Sequence, residues 1–221
     1  MSIKNPVLIA PSLMAANMLC LKDEAQAVEA AGSDWLHIDI MDGHFVPNLT
    51  FGPDIVSQLR PVCSLPFDVH LMVEPVELCI DLYQRAGADH ITIHAEATTE
   101  LHKNLDAIKK MGCKAGVSIK PETPVDCIEN TLKMLDQVLV MSVNPGFYGQ
   151  PFMPSALEKI VMLKKIRTEQ GLDFRIVVDG GINIQNSPSI IEAGADVLVA
   201  GSSVFKQADY AKAIKSLRCL S

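Results

Sequence analysis

An imidazole and a carboxylate are spaced for joint chemistry in residues 35–48, which read WLHIDIMDGHFVPN. His37 and Asp39 belong to an alternation of apolar and polar residues that predicts a β-strand over residues 35–40. Side chains at i and i+2 of a strand lie on the same face, so the two groups project together. The Asp-Gly pair that follows ends the strand close to them. This pattern is typical of a metal site or a proton-transfer site, and also of a hydrogen-bonded pair in a core.

Two other predicted strands carry similar groups near their carboxyl ends. Asp68 and His70 alternate in the strand at 65–72, and Asp179 ends the strand at 174–179. The carboxyl ends of parallel strands converge on one mouth if the sheet closes into a barrel. Four donors could then form a metal site that suits Zn²⁺, Mn²⁺, Fe²⁺ or Co²⁺: His37, Asp39, His70 and Asp179. A lone histidine in an apolar strand is more typical of a core position, but four such residues at one rim favour the metal site.

Strand and helix patterns alternate along the whole chain. Strands are predicted at 7–10, 35–40, 65–72, 90–94, 114–119, 137–143, 174–179 and 196–200, and helices at 21–31, 53–59, 75–86, 100–111, 124–133, 155–169, 185–193 and 206–217. A short Ala-Gly-Ser/Ala-Asp echo recurs at 31–34, 86–89 and 193–196, where a helix ends and a strand begins. Eight such units predict an α/β protein, a single-domain (β/α)8 TIM barrel over residues 1–221. A doubly wound open sheet is the alternative, but no GxGxxG or GxxxxGK[ST] motif is present.

Composition excludes several classes of function. The chain has 221 residues, of which 48% are hydrophobic, so it can bury a substantial core. Its net charge of −7 and its lack of a long basic run argue against a nucleic-acid surface. The six cysteines include no CxxC pair, and the first apolar run is too short for a signal peptide or a spanning helix. We expect a cytoplasmic protein with neither nucleic-acid nor membrane partners.

Three neighbouring turns are rich in glycine. They follow the sixth, seventh and eighth predicted strands, at residues 144–150, 180–181 and 201–203. Glycine lets backbone N–H groups approach a phosphate closely, and barrels often bind phosphate after strands seven and eight. Each turn alone is typical of ordinary chain reversal, whereas the three together favour an anion site.

A metal beside two carboxylates and near a phosphate site indicates proton abstraction next to a carbonyl. The metal would stabilise an enediolate, one carboxylate would remove the proton and the other would return it on the opposite face. The result is an epimerisation. Three methionines at or just past strand ends could form an apolar lid over the intermediate: Met41, Met72 and Met141. Ordinary core packing would use the same residues.

The chain resembles the ribulose-phosphate 3-epimerase family of the pentose phosphate pathway. The resemblance rests on APSLMAAN, HIDIMDGHFVPNLTFGP, DVHLMVEP, VNPGFYGQPF, VDGGIN and AGSSVF. It implies a (β/α)8 barrel that interconverts D-ribulose 5-phosphate and D-xylulose 5-phosphate, a divalent metal on the four donors, and Asp39 and Asp179 as the acid/base pair. It also implies a homo-oligomer and substrate contacts through Ser12, His70, Gly146, Phe147, Tyr148, Gly149, Gly180, Gly181, Gly201 and Ser202. Tyr148 is a departure, since the family usually has a small residue there.

Other functions remain open on the sequence. D-allulose 6-phosphate would undergo the same chemistry, and no residue separates a five-carbon from a six-carbon substrate. A non-catalytic sugar-phosphate-binding protein would not need two opposed carboxylates. Related decarboxylases carry a lysine where this chain has Met41, and Lys120 is the only nearby candidate for a Schiff-base aldolase.

Overall fold

The computed structural model describes residues 6–219, and its centre is one eight-stranded parallel sheet. The strands are β1 (Leu8–Pro11), β2 (Leu36–Met41), β3 (Phe67–Met72), β4 (His90–His94), β5 (Lys114–Ile119), β6 (Gln137–Met141), β7 (Arg175–Asp179) and β8 (Val197–Ala200). Each strand pairs with the next in the chain from β2 to β8, and β8 pairs with β1. A parallel bridge between Ser12 and His37 brings β1 against β2, so the sheet closes. The predicted (β/α)8 barrel is confirmed.

Helices connect the strands on the outside of the barrel. They are α1 (Leu21–Ala30), α2 (Pro53–Leu59), α3 (Glu77–Arg85), α4 (Leu101–Lys110), α5 (Ala156–Gln170), α6 (Ser187–Ala193), α7 (Ser202–Phe205) and α8 (Tyr210–Leu217). Pro53 occupies the first turn of α2, where its missing N–H is not needed. Gly171 ends α5 in the left-handed conformation, with φ of 62°.

Two predicted helices were wrong in detail. The connection between β5 and β6 is a 3-10 helix, Val125–Met134, rather than an α-helix. The helix predicted at 206–217 begins only at Tyr210, because Asp209 takes an extended conformation and its side chain accepts a hydrogen bond from the Lys212 N–H. Asp209 therefore caps α8 and separates it from α7.

The strands bury both faces, but the two faces differ in chemistry. Outward side chains such as Ile38, Val69 and Ile91 pack beneath the helices in the main apolar core. Inside the barrel, the strands from β6 through β8 to β1 contribute mostly apolar side chains: Ala10, Leu139, Met141, Val177, Val197 and Val199. The strands from β2 to β6 also bury polar side chains: His37, Asp39, Asp68, His70, Thr92, His94, Ser118 and Gln137. The interior thus has an apolar side and a polar side.

Gln137 crosses the interior from β6 to the polar side. Its Nε2 donates to Asp68 Oδ1 at 2.7 Å and to Thr92 Oγ1 at 2.8 Å. Gly116 makes this crossing possible, since a Cβ there would lie 2.8 Å from Gln137 Cγ and closer still to Thr92 Oγ1. A side chain at this position of β5 would displace the amide.

Among residues 6–219, none of the helices is both long enough and apolar enough to cross a membrane.

We predict that Gly116→Ala lowers the free energy of unfolding by about 1–3 kcal/mol, because the added methyl group overpacks the interior beside Gln137. Gly52→Ala is the matched control, since nothing lies within 4 Å of a Cβ at that position. Urea denaturation of the two variants and the parent chain would measure the effect. Equal losses in both variants would contradict this account.

Candidate active site

The four predicted donors meet at the mouth of the barrel. His37 and Asp39 come from β2, His70 from β3, and Asp179 is the last residue of β7. Their ligand atoms all lie within 4.8 Å of one another. Period-2 alternation explains the convergence, because each residue falls on the inward face of its strand. The structure therefore brings together the four side chains that the sequence selected.

Asp39 is the centre of this cluster. Its Oδ1 lies 3.3 Å from His37 Nε2 and 3.2 Å from His70 Nδ1, and its Oδ2 accepts a hydrogen bond from Ser12 Oγ at 2.6 Å. Burial acts to raise the pKa of Asp39, but the two imidazoles outweigh burial and hold that pKa far below its usual range. Asp39 is therefore a buried carboxylate kept in its ionised form.

Asp179 has the opposite tendency. Its side chain is 16% exposed and lies 4.0 Å from His70 Nδ1. Burial, together with the negative charge of Asp39, raises the pKa of Asp179 to about 6. Two carboxyl groups in one cluster thus differ in proton affinity, which is the arrangement that an acid/base pair requires.

His37 is oriented by a buried carboxylate. Its Nδ1 lies 2.8 Å from Asp68 Oδ2, and both side chains are fully buried. Burial acts to lower the pKa of His37, but Asp39 and Asp68 outweigh it and raise that pKa well above the ordinary value. Asp68 was noted in the sequence only as a strand-end residue, and its contact with His37 was missed.

The cluster fits a divalent metal ion. Within the described part of the chain, the buried Nε2 of His37 makes no hydrogen bond, although it faces Asp39. Two imidazole nitrogens and two carboxylates converge there, a nitrogen and oxygen set that suits a transition metal or zinc. A cation between them would give the orphaned nitrogen a partner.

His70 has a second partner on its outer side. Its Nε2 lies 2.9 Å from His94 Nε2, and His94 Nδ1 lies 3.0 Å from Glu96 Oε2. Burial, the largest influence, lowers the pKa of His94 to about 4, so its ring is neutral near pH 7. The sequence contained a signal for this contact, because His90, Thr92 and His94 alternate along β4 and share the inward face.

The glycine-rich turns surround the same cavity. The predicted substrate residues that line it are Ser12, Gly146, Phe147, Tyr148, Gly149, Gly180, Gly181, Gly201 and Ser202. The turn places Gly181 in the left-handed conformation, with φ of 65°, and a Cβ at this position would lie 2.5 Å from the backbone nitrogen of Phe152. Only glycine fits this turn without displacing the neighbouring loop.

The loop after β6 is held at both ends. Asn48 Nδ2 donates to the Gly146 carbonyl at 2.7 Å, and Gln150 Nε2 donates to the carbonyls of Asn144 and Phe147 at 2.7 and 2.8 Å. Tyr148, the departure from the family pattern, is 55% exposed. More than half of this residue's surface therefore lies in solvent.

Methionines form the apolar part of the cavity wall. Met41, Met72 and Met141 are the last residues of β2, β3 and β6, and all three line the cavity. Met14, which the sequence reasoning did not select, joins Met41 and Met72 in one buried cluster. The polar cluster thus lies beside a polarisable apolar surface.

The fold and this centre define a barrel enzyme with its polar groups at the carboxyl ends of the strands. Residues 8–205 match the model of the "Ribulose-phosphate 3 epimerase family". The chain belongs to the ribulose-phosphate 3-epimerase family, and it is an isomerase.

Curated relatives agree over nearly the full chain. The ribulose-phosphate 3-epimerase of Bacillus subtilis is 50% identical over 95% of this chain and 97% of its own length. The Escherichia coli K12 protein of the same name is 44% identical over 96% and 94%. The chloroplastic ribulose-5-phosphate-3-epimerase of Arabidopsis thaliana is 48% identical over 97% of this chain and 77% of its own length.

Solved structures with low identity share the fold. KGPDC from Streptococcus mutans superposes with a TM-score of 0.71 at 15% identity, covering 97% of each chain. A 3-hexulose-6-phosphate synthase superposes with a TM-score of 0.65 at 19% identity, covering 98% of this chain and 100% of that one. These likenesses support the barrel alone.

We predict that Asp179→Asn stabilises the metal-free protein above pH 6. The native pKa of about 6 exceeds the ordinary value of 3.8, so the folded state retains a proton that the unfolded state has lost. The contribution of Asp179 to stability therefore falls as pH rises from about 4 to about 6, and the asparagine variant escapes this loss. We expect an advantage of the order of 2 kcal/mol at pH 7.

Urea denaturation from pH 4 to 8, with a chelator present, would measure this advantage. Asp173→Asn replaces an exposed carboxylate just before β7 and serves as the control. If the Asp179→Asn advantage were the same at pH 4 and pH 7, the buried carboxyl would not be its cause.

Proposed function

We propose that this chain interconverts D-ribulose 5-phosphate and D-xylulose 5-phosphate by metal-dependent proton transfer between two carboxylates. One observation carries the proposal: Asp39 and Asp179 share a buried cluster, and their pKa values are shifted in opposite directions. A single deprotonated base would exchange a proton, but inversion of a carbon centre by two bases also requires a second group that can return a proton.

His37, Asp39, His70 and Asp179 are the residues that would hold the metal, and Zn²⁺, Mn²⁺, Fe²⁺ and Co²⁺ all suit their donor atoms. When bound, the ion would supply Lewis-acid polarisation of the substrate's keto oxygen and of the hydroxyl oxygen beside it.

The two carboxyl groups divide the proton transfer in this proposal. Asp39, held ionised by its imidazole neighbours, removes the proton from C3, and the substrate becomes an enediolate. Asp179, whose raised pKa of about 6 lets a fraction of it carry a proton near neutral pH, donates a proton to the other face of C3. The product has inverted configuration, and the two residues exchange roles in the reverse reaction.

Ser12 would position both the base and the substrate, and His70 would position the base. The Ser12 hydroxyl donates to Asp39 Oδ2 at 2.6 Å and faces the cavity. This contact directs the other oxygen of Asp39, Oδ1, toward the imidazoles. In this proposal Ser12 also contacts the substrate's hydroxyl groups, whereas His70, which was predicted as a substrate contact, is fully buried and does not line the cavity.

Backbone amides would bind the phosphate. Gly180, Gly181, Gly201 and Ser202 line one side of the cavity, and the turn at Gly146–Gly149 lines another. The cavity wall contains no lysine or arginine within residues 6–219, so N–H groups of the turns would supply most of the attraction. Met41, Met72 and Met141 would exclude water from the enediolate.

We predict that Asp39→Asn and Asp179→Asn each reduce epimerisation by about 10²–10⁴-fold, because each variant removes one of the two proton-transfer groups. Incubation with D-ribulose 5-phosphate in D₂O, followed by NMR at C3, would measure both exchange and product formation. Asp173→Asn is the control for loss of a carboxylate away from the mouth. Because either variant can also lose metal, metal content is measured in parallel. A metal-loaded variant with near wild-type turnover would remove that aspartate from the proton-transfer role.

We further predict that a strong chelator abolishes deuterium incorporation at C3 and that added Zn²⁺, Mn²⁺ or Co²⁺ restores it. The reason is that an ion on the four donors would supply the Lewis-acid polarisation that makes the C3 proton acidic. The same exchange experiment provides the measurement. Full exchange in the chelated protein, with metal verified as absent, would contradict metal dependence.

A further inference from the structure

A chain of hydrogen bonds leads away from His70 into the wall of the barrel. His70 Nε2 lies 2.9 Å from His94 Nε2, and His94 Nδ1 lies 3.0 Å from Glu96 Oε2. The other oxygen of Glu96, Oε1, accepts the Lys120 N–H at 2.8 Å and also the Thr123 hydroxyl. Both imidazoles are fully buried.

The direction of each hydrogen bond in this chain is fixed by its outer end. The backbone N–H of Lys120 can only donate, and a carboxylate can only accept. His94 Nδ1 must therefore carry the proton that it shares with Glu96. In a neutral imidazole the other nitrogen is then an acceptor, so His94 Nε2 accepts and His70 Nε2 donates.

We propose that Glu96 and His94 are positioning residues that hold His70 in its Nε2–H tautomer. In that tautomer the lone pair of His70 is on Nδ1, which lies 3.2 Å from Asp39 Oδ1 and 4.0 Å from Asp179 Oδ2. A lone pair aimed at two carboxylates is suited to a divalent cation between them. The inference deepens the proposed function and rests on its metal site.

The surroundings of His94 keep this arrangement in place. The Phe45 ring packs on His94 with the ring centroids 4.7 Å apart, and the Lys120 ammonium lies 4.1 Å from the Phe45 ring centroid. Lys159 Nζ donates to the carbonyls of Lys120, Pro121 and Thr123, which holds the loop after β5 against Glu96. The hydrogen-bonded series His70–His94–Glu96, which we call the relay, is thus part of the barrel wall rather than a mobile surface contact.

The relay makes an unusual prediction for substitutions at Glu96. In Glu96→Gln the amide oxygen must face the Lys120 N–H, so the amide NH₂ group faces His94 Nδ1. His94 would then accept at Nδ1 and donate from Nε2, which forces the His70 proton onto Nδ1 and blocks the metal-facing lone pair. Glu96→Ala removes the constraint without reversing it. The isosteric glutamine should therefore be more harmful than the truncation to alanine.

Two measurements on the 221-residue chain test the positioning role of Glu96. Chelator competition with Zn²⁺ gives metal affinity, and we expect a loss of about 10- to 100-fold for Glu96→Gln and a smaller loss for Glu96→Ala. Two-bond ¹H–¹⁵N correlation spectra of histidine-labelled protein report the tautomers, recorded without metal for every variant and also with Zn²⁺ for the parent chain. We expect Nε2–H for His70 and Nδ1–H for His94 in the parent chain, with both reversed in Glu96→Gln.

Glu77→Gln is the matched control, because Glu77 also accepts side-chain hydrogen bonds, from Thr98 and Asn104, but does not contact a histidine in residues 6–219. It should leave metal affinity within about 3-fold of the parent value, well below the outer-shell effect. A purely structural role for Glu96 would make alanine the more harmful variant and leave the tautomers unchanged. Either result would overturn the proposal.

A second pair of variants covers the case in which Glu96→Gln fails to fold. His94→Gln can still offer an oxygen to His70 Nε2–H, whereas His94→Leu cannot, so we expect the glutamine variant to keep the higher Zn²⁺ affinity. Equal affinities would contradict the relay. If the parent chain binds no metal, the proposed metal site fails; the tautomer of His94, read from the same spectra without metal, still decides whether the relay exists.

Discussion

The structure depends on an ionised carboxylate that is kept in a nearly dry interior. Asp39 is 4% exposed, and such a charge is costly unless hydrogen bonds and opposite charge compensate it. Its two oxygens meet Ser12 on one side and the nitrogens of His37 and His70 on the other. Closing the barrel through the bridge between Ser12 and His37 brings these groups together. Closure of the barrel and stabilisation of the ionised Asp39 therefore depend on the same contacts.

Orienting the imidazoles requires the polar side of the barrel. Each imidazole has two nitrogens, and the inner one is available to a cation only if the outer one donates its proton elsewhere. Asp68 receives the proton of His37, and His94 receives that of His70. Asp68 is in turn held by Gln137. This explains why the interior contains buried polar groups from β2 to β6, where an ordinary barrel core would be apolar.

The alternation of apolar and polar residues predicted the features that depend on the direction of side chains along a strand. Period-2 patterns gave the strands, the (β/α)8 order and the four inward groups, because a closed parallel barrel directs alternate side chains to one axis. The patterns did not predict which side chains contact each other across the interior of the barrel. Gln137 is polar in an otherwise apolar strand, and only its contacts across the interior with Asp68 of β3 and Thr92 of β4 explain it. The start of α8 at Tyr210 was missed although the sequence carries a signal for it, since aspartate is a preferred N-cap residue and Asp209 directly precedes the helix.

The same cluster that suits proton transfer is a weak point in the stability of the barrel. Burial beside Asp39 raises the pKa of Asp179, so the ionisation of Asp179 lowers the stability of the folded chain as pH rises toward neutrality. A cation between the carboxylates would relieve that repulsion and would bind the folded state alone, so it would stabilise the fold by linkage. The apolar side of the interior, from β6 to β1, supplies packing that does not depend on the cation. The polar side of the interior can therefore hold two carboxyl groups that repel each other, because the apolar side, from β6 to β1, stabilises the barrel independently.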